Sequence, residues 1–321
     1  MTTMDKLTNS PRLICWTGAA LVAVAVTFAT IPAARAQQTF KTAEAAADAL
    51  AAAARNSDRK QVIAVLGPGS ADLVSSGDAV EDEETRKAFV AAYDAAHSIK
   101  REDGKAATLV IGQNDFPFPV PLVEKDGSWS FDTKAGREEV LARRIGRNEL
   151  AVMQVALAFY DAENDYADTT PKVDGMSVYA QRVVSQPGKK DGLYWPAAEG
   201  EQQSPIGEAV ADASQRGYKI GSGEPYYGYR FKILTRQGTS APGGAANYIV
   251  NGNMIGGFAL VAWPAEYGNS GIATFIISHR GELYEKDLGP NTAKIASSMT
   301  SFNPDHTWKK TAVADEASSQ R

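Results

Sequence analysis

The stretch that most constrains the fold is Gly256 to Pro290, GGFALVAWPAEYGNSGIATFIISHRGELYEKDLGP. Phe258, Leu260 and Ala262, then Phe275 and Ile277, recur at alternating positions. A pleated strand sends successive side chains to opposite faces, so each of two strands here can set one side on a partner and the other toward a further layer. A polar turn joins them, and His279-Arg280-Gly281 reverses the chain into a short third strand. This is a sheet core in search of cover. The helix containing Met153 and Leu157 is expected to pack on it, because a helix apolar nearly all round needs cover on more than one side and this is the most apolar sheet available to supply it.

The front of the chain differs in kind. Lys6 and Arg12 precede an apolar run from Leu13 to about Ala29, and Ala34-Arg35-Ala36 closes it with small residues at the positions a signal peptidase reads. The pattern predicts a secretory signal peptide over residues 1–36, cleaved after Ala36, and so a periplasmic or otherwise exported protein. The run approaches the roughly 20 apolar residues that span a bilayer, but Pro32 and the small-residue exit favour cleavage over a retained anchor, so the mature chain is not expected to span a membrane. Cys15, which follows Ile14 at the start of the run and not a small residue at its end, does not form a lipidation site and is the single cysteine. Cleavage therefore leaves no thiol, and stability must come from packing without disulfides. Lys6, Arg12, Arg35 and Asp5 leave with the signal, which takes the net charge from −5 to −7. With no strongly basic stripe to offset phosphates, the sequence argues against nucleic acid as a partner.

Along the mature chain, helices are predicted over Thr39–Arg55, after Asp58 as far as the Gly67-Pro68-Gly69 stop, and from Asp82 to about Ser98 behind an acidic start at Glu81–Glu84. From Ala106 the period changes to that of strands, with Asp126-Gly127 turning a hairpin and prolines confining Phe116–Pro121 to an edge. Helix returns over Thr133–Ile145, and Gly146 marks a domain boundary. A second helix, Arg147 to about Asp161, is apolar nearly all round, with Leu150, Val152, Met153, Val155, Leu157, Phe159 and Tyr160, a pattern usual for burial between layers. Pro171–Gly223 reads as a long ordered loop with a short helix near Ile206–Ser214, one that lines a site or wraps the domain. Tyr226–Leu234 alternates as a strand, Asn251-Gly252 signals a hairpin, and Ala293–Met299 makes a last helix. The expected fold class is α+β: N-terminal helices with a small antiparallel sheet over residues 37–146, then a helix packed on a larger antiparallel sheet over residues 147–313, with a flexible tail over residues 314–321.

Candidate chemistry is sparse. Serine hydrolysis needs a nucleophile, a base and an orienting acid. Ser270 in Gly268-Asn269-Ser270-Gly271, with His279 or His306 and Asp287, comes nearest, but the spacing is not G-x-S-x-G and no strand-to-helix turn follows. His279 with Glu282, and His306 with Asp305, lack the helical i, i+4 spacing of a zinc site and read as solvated turn residues. The run Asp161, Glu163, Asn164, Asp165, Asp168 offers oxygens to calcium, but without the EF-hand spacing and glycine it reads as a loop after a helix. Gly238 to Gly244 is too irregular for a phosphate loop and reads as a hairpin tip. No catalytic residue, cofactor site or metal site is expected. Tyr194, Trp195, Tyr227, Tyr229, Trp263 and Tyr267, with Tyr226, either line a groove for a peptide or glycan or pack in the core.

The segments DGLYWPAAEGE (191–201), GYRFKILT (228–235), VNGNMIGGFALVAWPAEYGNSGIATFIIS (250–278) and LYEKDLGP (283–290) resemble a bacterial exported family labelled domain of unknown function 2950. The resemblance runs from about Phe40 through Trp308 and implies export and architecture without an activity. More weakly, the C-terminal half is similar to the globular part of type IV pilins, from which it departs by placing its helix internally. The N-terminal half is similar in organisation to nuclear-transport-factor-like domains. The function expected is a non-catalytic binding or assembly component of the cell envelope, its partner an envelope protein, peptide or glycan. A periplasmic hydrolase is the other reading.

Overall fold

A computed structural model of the chain describes residues 37–102 and 104–311; the signal peptide expected over residues 1–36 and the tail expected from Ala314 lie outside the described residues. Helices α1 (Ala43–Arg55), α2 (Arg59–Leu66) and α3 (Ala79–Ala95) open the fold, and each begins on a side-chain cap: Thr42, Asp58 and Asp78 accept from backbone N–H groups of the first turn. Those groups have no partner within the helix, so each cap satisfies donors that would otherwise stay bare. Helix α3 starts and stops earlier than the sequence predicts. Its cap is Asp78, and His97 and Ser98, expected at the helix end, instead open the strand His97–Arg101, which pairs antiparallel with Ala106–Ile111. Leu122–Lys125 and Ser128–Phe131 form the expected Asp126-Gly127 hairpin, and Phe116–Pro117 lies against Ala106–Ile111. Leu50, Val65, Tyr93, Leu109, Leu122 and Phe131 are buried in the core between these helices and this sheet.

Helix α4 (Thr133–Thr169) runs 37 residues without a break, so the two helices expected on either side of Gly146 are one. At about 1.5 Å per residue it extends for some 55 Å. A mid-helix glycine weakens a helix by only about 1 kcal/mol, and tertiary bonds hold both flanks here. Arg144 donates to Asp72 O at 3.0 Å, and Asn148 donates to Ser270 O at 2.9 Å. Beyond α4, the long connection to residue 206 carries no helix of its own, and α5 (Gly207–Arg216) follows close to its expected place.

The larger sheet has five antiparallel strands in the order Lys309–Lys310, Leu283–Asp287, Ala273–Ser278, Ala259–Pro264, Tyr229–Leu234. Leu260 pairs with Ile277 and Ala262 with Phe275, so the alternating positions of the sequence do share a register. Both central strands are buried almost throughout. Helix α4 supplies cover: Val152, Ala156 and Phe159 join this core, and the Phe159 ring meets Phe258 edge to face with centroids 5.7 Å apart. The short α6 (Thr292–Ser298) adds Ala296 to the same core. The Asn251-Gly252 hairpin forms as expected between Ile249–Val250 and Asn253–Met254. Cover is incomplete on one side of α4, where Leu150 stays 61% exposed, contrary to the all-round burial its pattern suggests.

Phe275 is 1% exposed and packs on Tyr229, whereas Phe116 on the small sheet is 52% exposed. Truncating Phe275 to Ala should therefore lower stability by about 3–5 kcal/mol, the usual result of deleting a buried ring. Phe116→Ala should lower it by about 1 kcal/mol or less, through its loss of the Arg143 guanidinium 4.7 Å above the ring. Urea unfolding of both variants checks the placement of the core; equal, small losses would contradict it.

Candidate functional site

Polar groups gather where the two cores meet. Asp78, at the start of α3, is 2% exposed, and its carboxylate takes four donors: Val80 N and Glu81 N on Oδ1, Gly228 N at 2.9 Å and the Tyr218 hydroxyl at 3.2 Å on Oδ2. Gly228 has φ +73°, and a Cβ there would lie 2.6 Å from Asn148 Nδ2, so only glycine brings the backbone this close. Beside it, Asn269 accepts from Arg144 and donates to Ser75 O at 3.0 Å and Glu266 at 2.7 Å. Burial pulls the Arg144 guanidinium below its ordinary pKa without removing its charge at neutral pH.

Arg216 closes the adjoining corner. From the last turn of α5 it binds Glu84 through Nε at 3.0 Å and donates to the Tyr227 hydroxyl, with its guanidinium 4.7 Å from the Tyr227 ring and 5.5 Å from Tyr218. Its hydrogen bond holds the Glu84 carboxyl below the usual range. Glu81, 3.3 Å from Arg147 and 3.6 Å from Arg216, is nevertheless raised, because burial outweighs the two cations. Burial also pushes up the Tyr218 and Tyr226 hydroxyls, which stack edge to face at 4.7 Å and stay protonated donors. Every charge here is answered inside the protein, so this corner acts as a clamp between α3 and α5.

The candidates named from sequence are dispersed. Ser270 is buried, and its hydroxyl accepts from Glu266 N at 3.0 Å and donates to Glu266 O at 3.2 Å, within its own turn. His279 is not a solvated turn residue: its ring lies edge-on to Tyr248 at 5.6 Å, its Nδ1 is buried without a partner, and burial lowers its pKa. Glu282 likewise has a buried Oε2 and sits 3.7 Å from Lys310. His306 is exposed, next to an Asp305 that bonds Thr307. Of the aromatic residues, Trp195, Tyr229 and Trp263 are buried in the large core, and the Tyr229 hydroxyl donates to Ala273 O at 3.0 Å. Tyr267 bonds Asp287 at 3.0 Å, Tyr194 pairs its backbone with Val184, and Tyr227 belongs to the Arg216 clamp. Among the described residues no ring contact links two of these six, although Tyr226, named with them, lies against Tyr227 with ring centroids 4.5 Å apart. Gly238 to Gly244 does lie at a hairpin tip, between Arg236–Gln237 and Ala246–Asn247.

The acidic run is helix, not loop. It forms the last turns of α4, where the Asn164 side chain donates to Tyr160 O at 2.8 Å. Among the described residues no group of three or more His, Cys, Asp or Glu is arranged to hold a metal ion. What this end of α4 does build is a cleft of about 360 Å³ against the start of α5, lined by Asp165, Thr169, Gln203, Ser204 and Glu208. That volume suits a small ligand. One wall is fixed from beneath: the Trp195 indole donates to Gln202 O at 3.0 Å, and Lys190 covers its ring at 5.4 Å. Two carboxylates, an amide and the Ser204 hydroxyl present a set suited to ammonium or hydroxyl groups, while the Thr169 hydroxyl donates to Asp165 O at 3.0 Å within its own helix; no nucleophile and base are in contact. Asp165 and Thr169 could be placed together from their helical spacing. Residues 203–208 could not, since the long connection has no period to follow.

Glu163, two residues before Asp165 on α4, is fully buried. Its Oε2 accepts from Ala180 N at 2.8 Å, and its Oε1 has no partner. Burial pushes its pKa up to about 8, and the groups that face it, Tyr166 and Tyr179, are themselves raised by burial and bring no positive charge. The sequence shows Glu163 only as one acid among several.

The arrangement defines a class, an α+β protein in which a long helix spans two cores joined by a polar seam, with one small polar cleft at the helix end. The chain belongs to the family described as protein of unknown function (DUF2950), which matches residues 37–311. Comparison with curated proteins finds no match, and comparison with solved structures finds none. The likeness to pilins rests on sequence pattern alone.

Glu163 makes stability depend on pH in a defined direction. The unfolded carboxyl ionises from about pH 4.5, whereas the folded one keeps its proton to about pH 8. Between these values the native state binds more protons than the unfolded one, so stability falls as pH rises, by up to about 1.4 kcal/mol per pH unit from this group. Glu163→Gln, neutral at every pH, should melt near the wild type at pH 5 and above it at pH 8. Parallel melting-temperature profiles for the two proteins would refute this role.

Proposed function

We propose that this protein is exported into the cell envelope and binds a polar ligand there without covalent chemistry, in the cleft between α4 and α5. The carrying observation is the cleft itself: a space of ligand size lined by polar residues, two of them carboxylates, with the segment at one wall anchored by a buried Trp195. The ligand class that fits is a glycan or peptide presenting hydroxyl or ammonium groups to Asp165 and Glu208. Support for export comes from the Lys6, Arg12 and Ala34-Arg35-Ala36 pattern, with the family match beginning at Gln37, where cleavage would start the mature chain. Among the described residues no helix is long and apolar enough to cross a membrane. Binding without turnover is supported by Ser270, whose hydroxyl is used up within its turn.

Two measurements test this reading. N-terminal sequencing of protein recovered from the periplasmic fraction should begin at Gln37; intact Met1 in the membrane fraction would instead mean a retained anchor. Calorimetric titration with cell-wall glycan fragments and short cationic peptides should show binding to the wild type. The double variant Asp165→Asn, Glu208→Gln should bind at least about tenfold more weakly, equivalent to about 1.4 kcal/mol. Equal affinity would remove the cleft from the reading, and release of cleaved product would establish the hydrolase instead.

A further inference from the structure

The uncovered side of α4 is ordered along its length. Arg143, Arg147, Leu150, Gln154, Ala158, Asp161 and Asp165 follow one another at spacings of four and three, so they form one stripe on the helix. None of the seven is buried, and Leu150 is the most exposed of the large hydrophobic residues described. The stripe is basic at its start, apolar and small at its middle and acidic at its end, and after Arg147 the helix carries no basic residue at all. Two further exposed apolar side chains border it: Phe116 beneath Arg143, and Ile272, whose backbone N–H is bonded to Glu149 at 2.9 Å. Exposed apolar surface gathered in this way marks a contact surface.

The order of the stripe says what covers it. Turned about a two-fold axis through Gln154, the helix meets its own copy antiparallel, and residues equally far on either side of Gln154 come opposite one another. Arg143 then faces Asp165, Arg147 faces Asp161, and Leu150 faces Ala158, a large side chain on a small one. Self-complementarity of this kind is what a two-fold interface requires, since each patch must match itself reversed. We infer that two copies of this chain pair through α4, antiparallel about Gln154. Arg147 already lies 3.3 Å from Glu81 and Arg143 2.6 Å from Glu139, and a guanidinium has five donors, enough to hold a second carboxylate. The inference stands apart from ligand binding in the cleft, although Asp165 borders both.

The test uses the chain as recovered from producing cells. Sedimentation equilibrium should show a concentration-dependent monomer–dimer equilibrium. Leu150→Glu sets an unpaired charge against the apolar middle of the facing stripe and should weaken the dimer at least about tenfold while the circular dichroism spectrum is unchanged. Arg147→Asp should weaken it too, and Asp161→Arg added to that variant should restore it. A purely internal role for Arg147, through Glu81, would not be rescued in this way. In a Cys15→Ser background, Gln154→Cys should oxidise to a cross-linked dimer and Lys60→Cys, on α2, should not; this arm decides the matter if the charged variants fail to fold. A wild type monomeric at all concentrations, or equal cross-linking at the two positions, overturns the inference, including the case in which residues 1–36 cover α4 instead. Titration of monomeric Leu150→Glu with the cleft's ligands separates the two readings: retained binding with lost pairing leaves the cleft intact.

Discussion

The Asp78 carboxylate is the interaction on which the rest of the structure leans. A buried carboxylate is strongly unfavourable unless donors replace its water. Asp78 obtains four, two from the first turn of α3 and two from the segment leading into the large sheet. One side chain thereby starts a helix and ties the helix-rich core to the sheet-rich core. Around it, Arg144 and Asn269 bind the backbone of residues 72–75, and Arg216 binds the acids of α3. The carboxylates and guanidinium groups at this junction are engaged in making it, while the Oδ1 of Asn148 beside Gly228 is buried without a partner.

Helix α4 runs past that junction and gives the two cores a common beam. Thr133 at its start bonds to Leu66 O in the first core, and Phe159 packs on Phe258 in the second. A helix with this duty presents different neighbours along its length, which explains why its pattern is apolar on many sides without being buried on all. Its last turns combine Glu163, whose burial raises its pKa, with Asp165 and Thr169, so adjacent residues of one helix set a pH-sensitive part of the core and a wall of the cleft.

Much of the fold was legible. Alternation at Phe258, Leu260, Phe275 and Ile277 placed the central strands, because a half-pleat period has one structural meaning when the run is short and bounded by turns. Asp126-Gly127 and Asn251-Gly252 marked hairpins because each turn has both central residues at positive φ, where Asp, Asn and glycine are tolerated. Gly146 misled, since a glycine is a weak helix breaker and the bonds of Arg144 and Asn148 that override it come from residues more than 70 positions away. The acidic run misled for a related reason: its composition suits a solvated loop, but Glu163 and Tyr166 are buried by partners in the long connection.

The sequence by itself determined the α+β class, the starts of the first two helices, the hairpins, the apolar centre and the family, because these rest on local period and on residues adjacent in the chain. Only the tertiary structure decided the seam, the Arg216 clamp, the orphaned oxygen of Glu163 and the cleft. Each depends on groups far apart in sequence whose energies change when water is removed from between them. Burial turns Glu163 from an ordinary acid into a neutral one and makes Asp78 a joint, and no pattern of neighbouring residues carries that information.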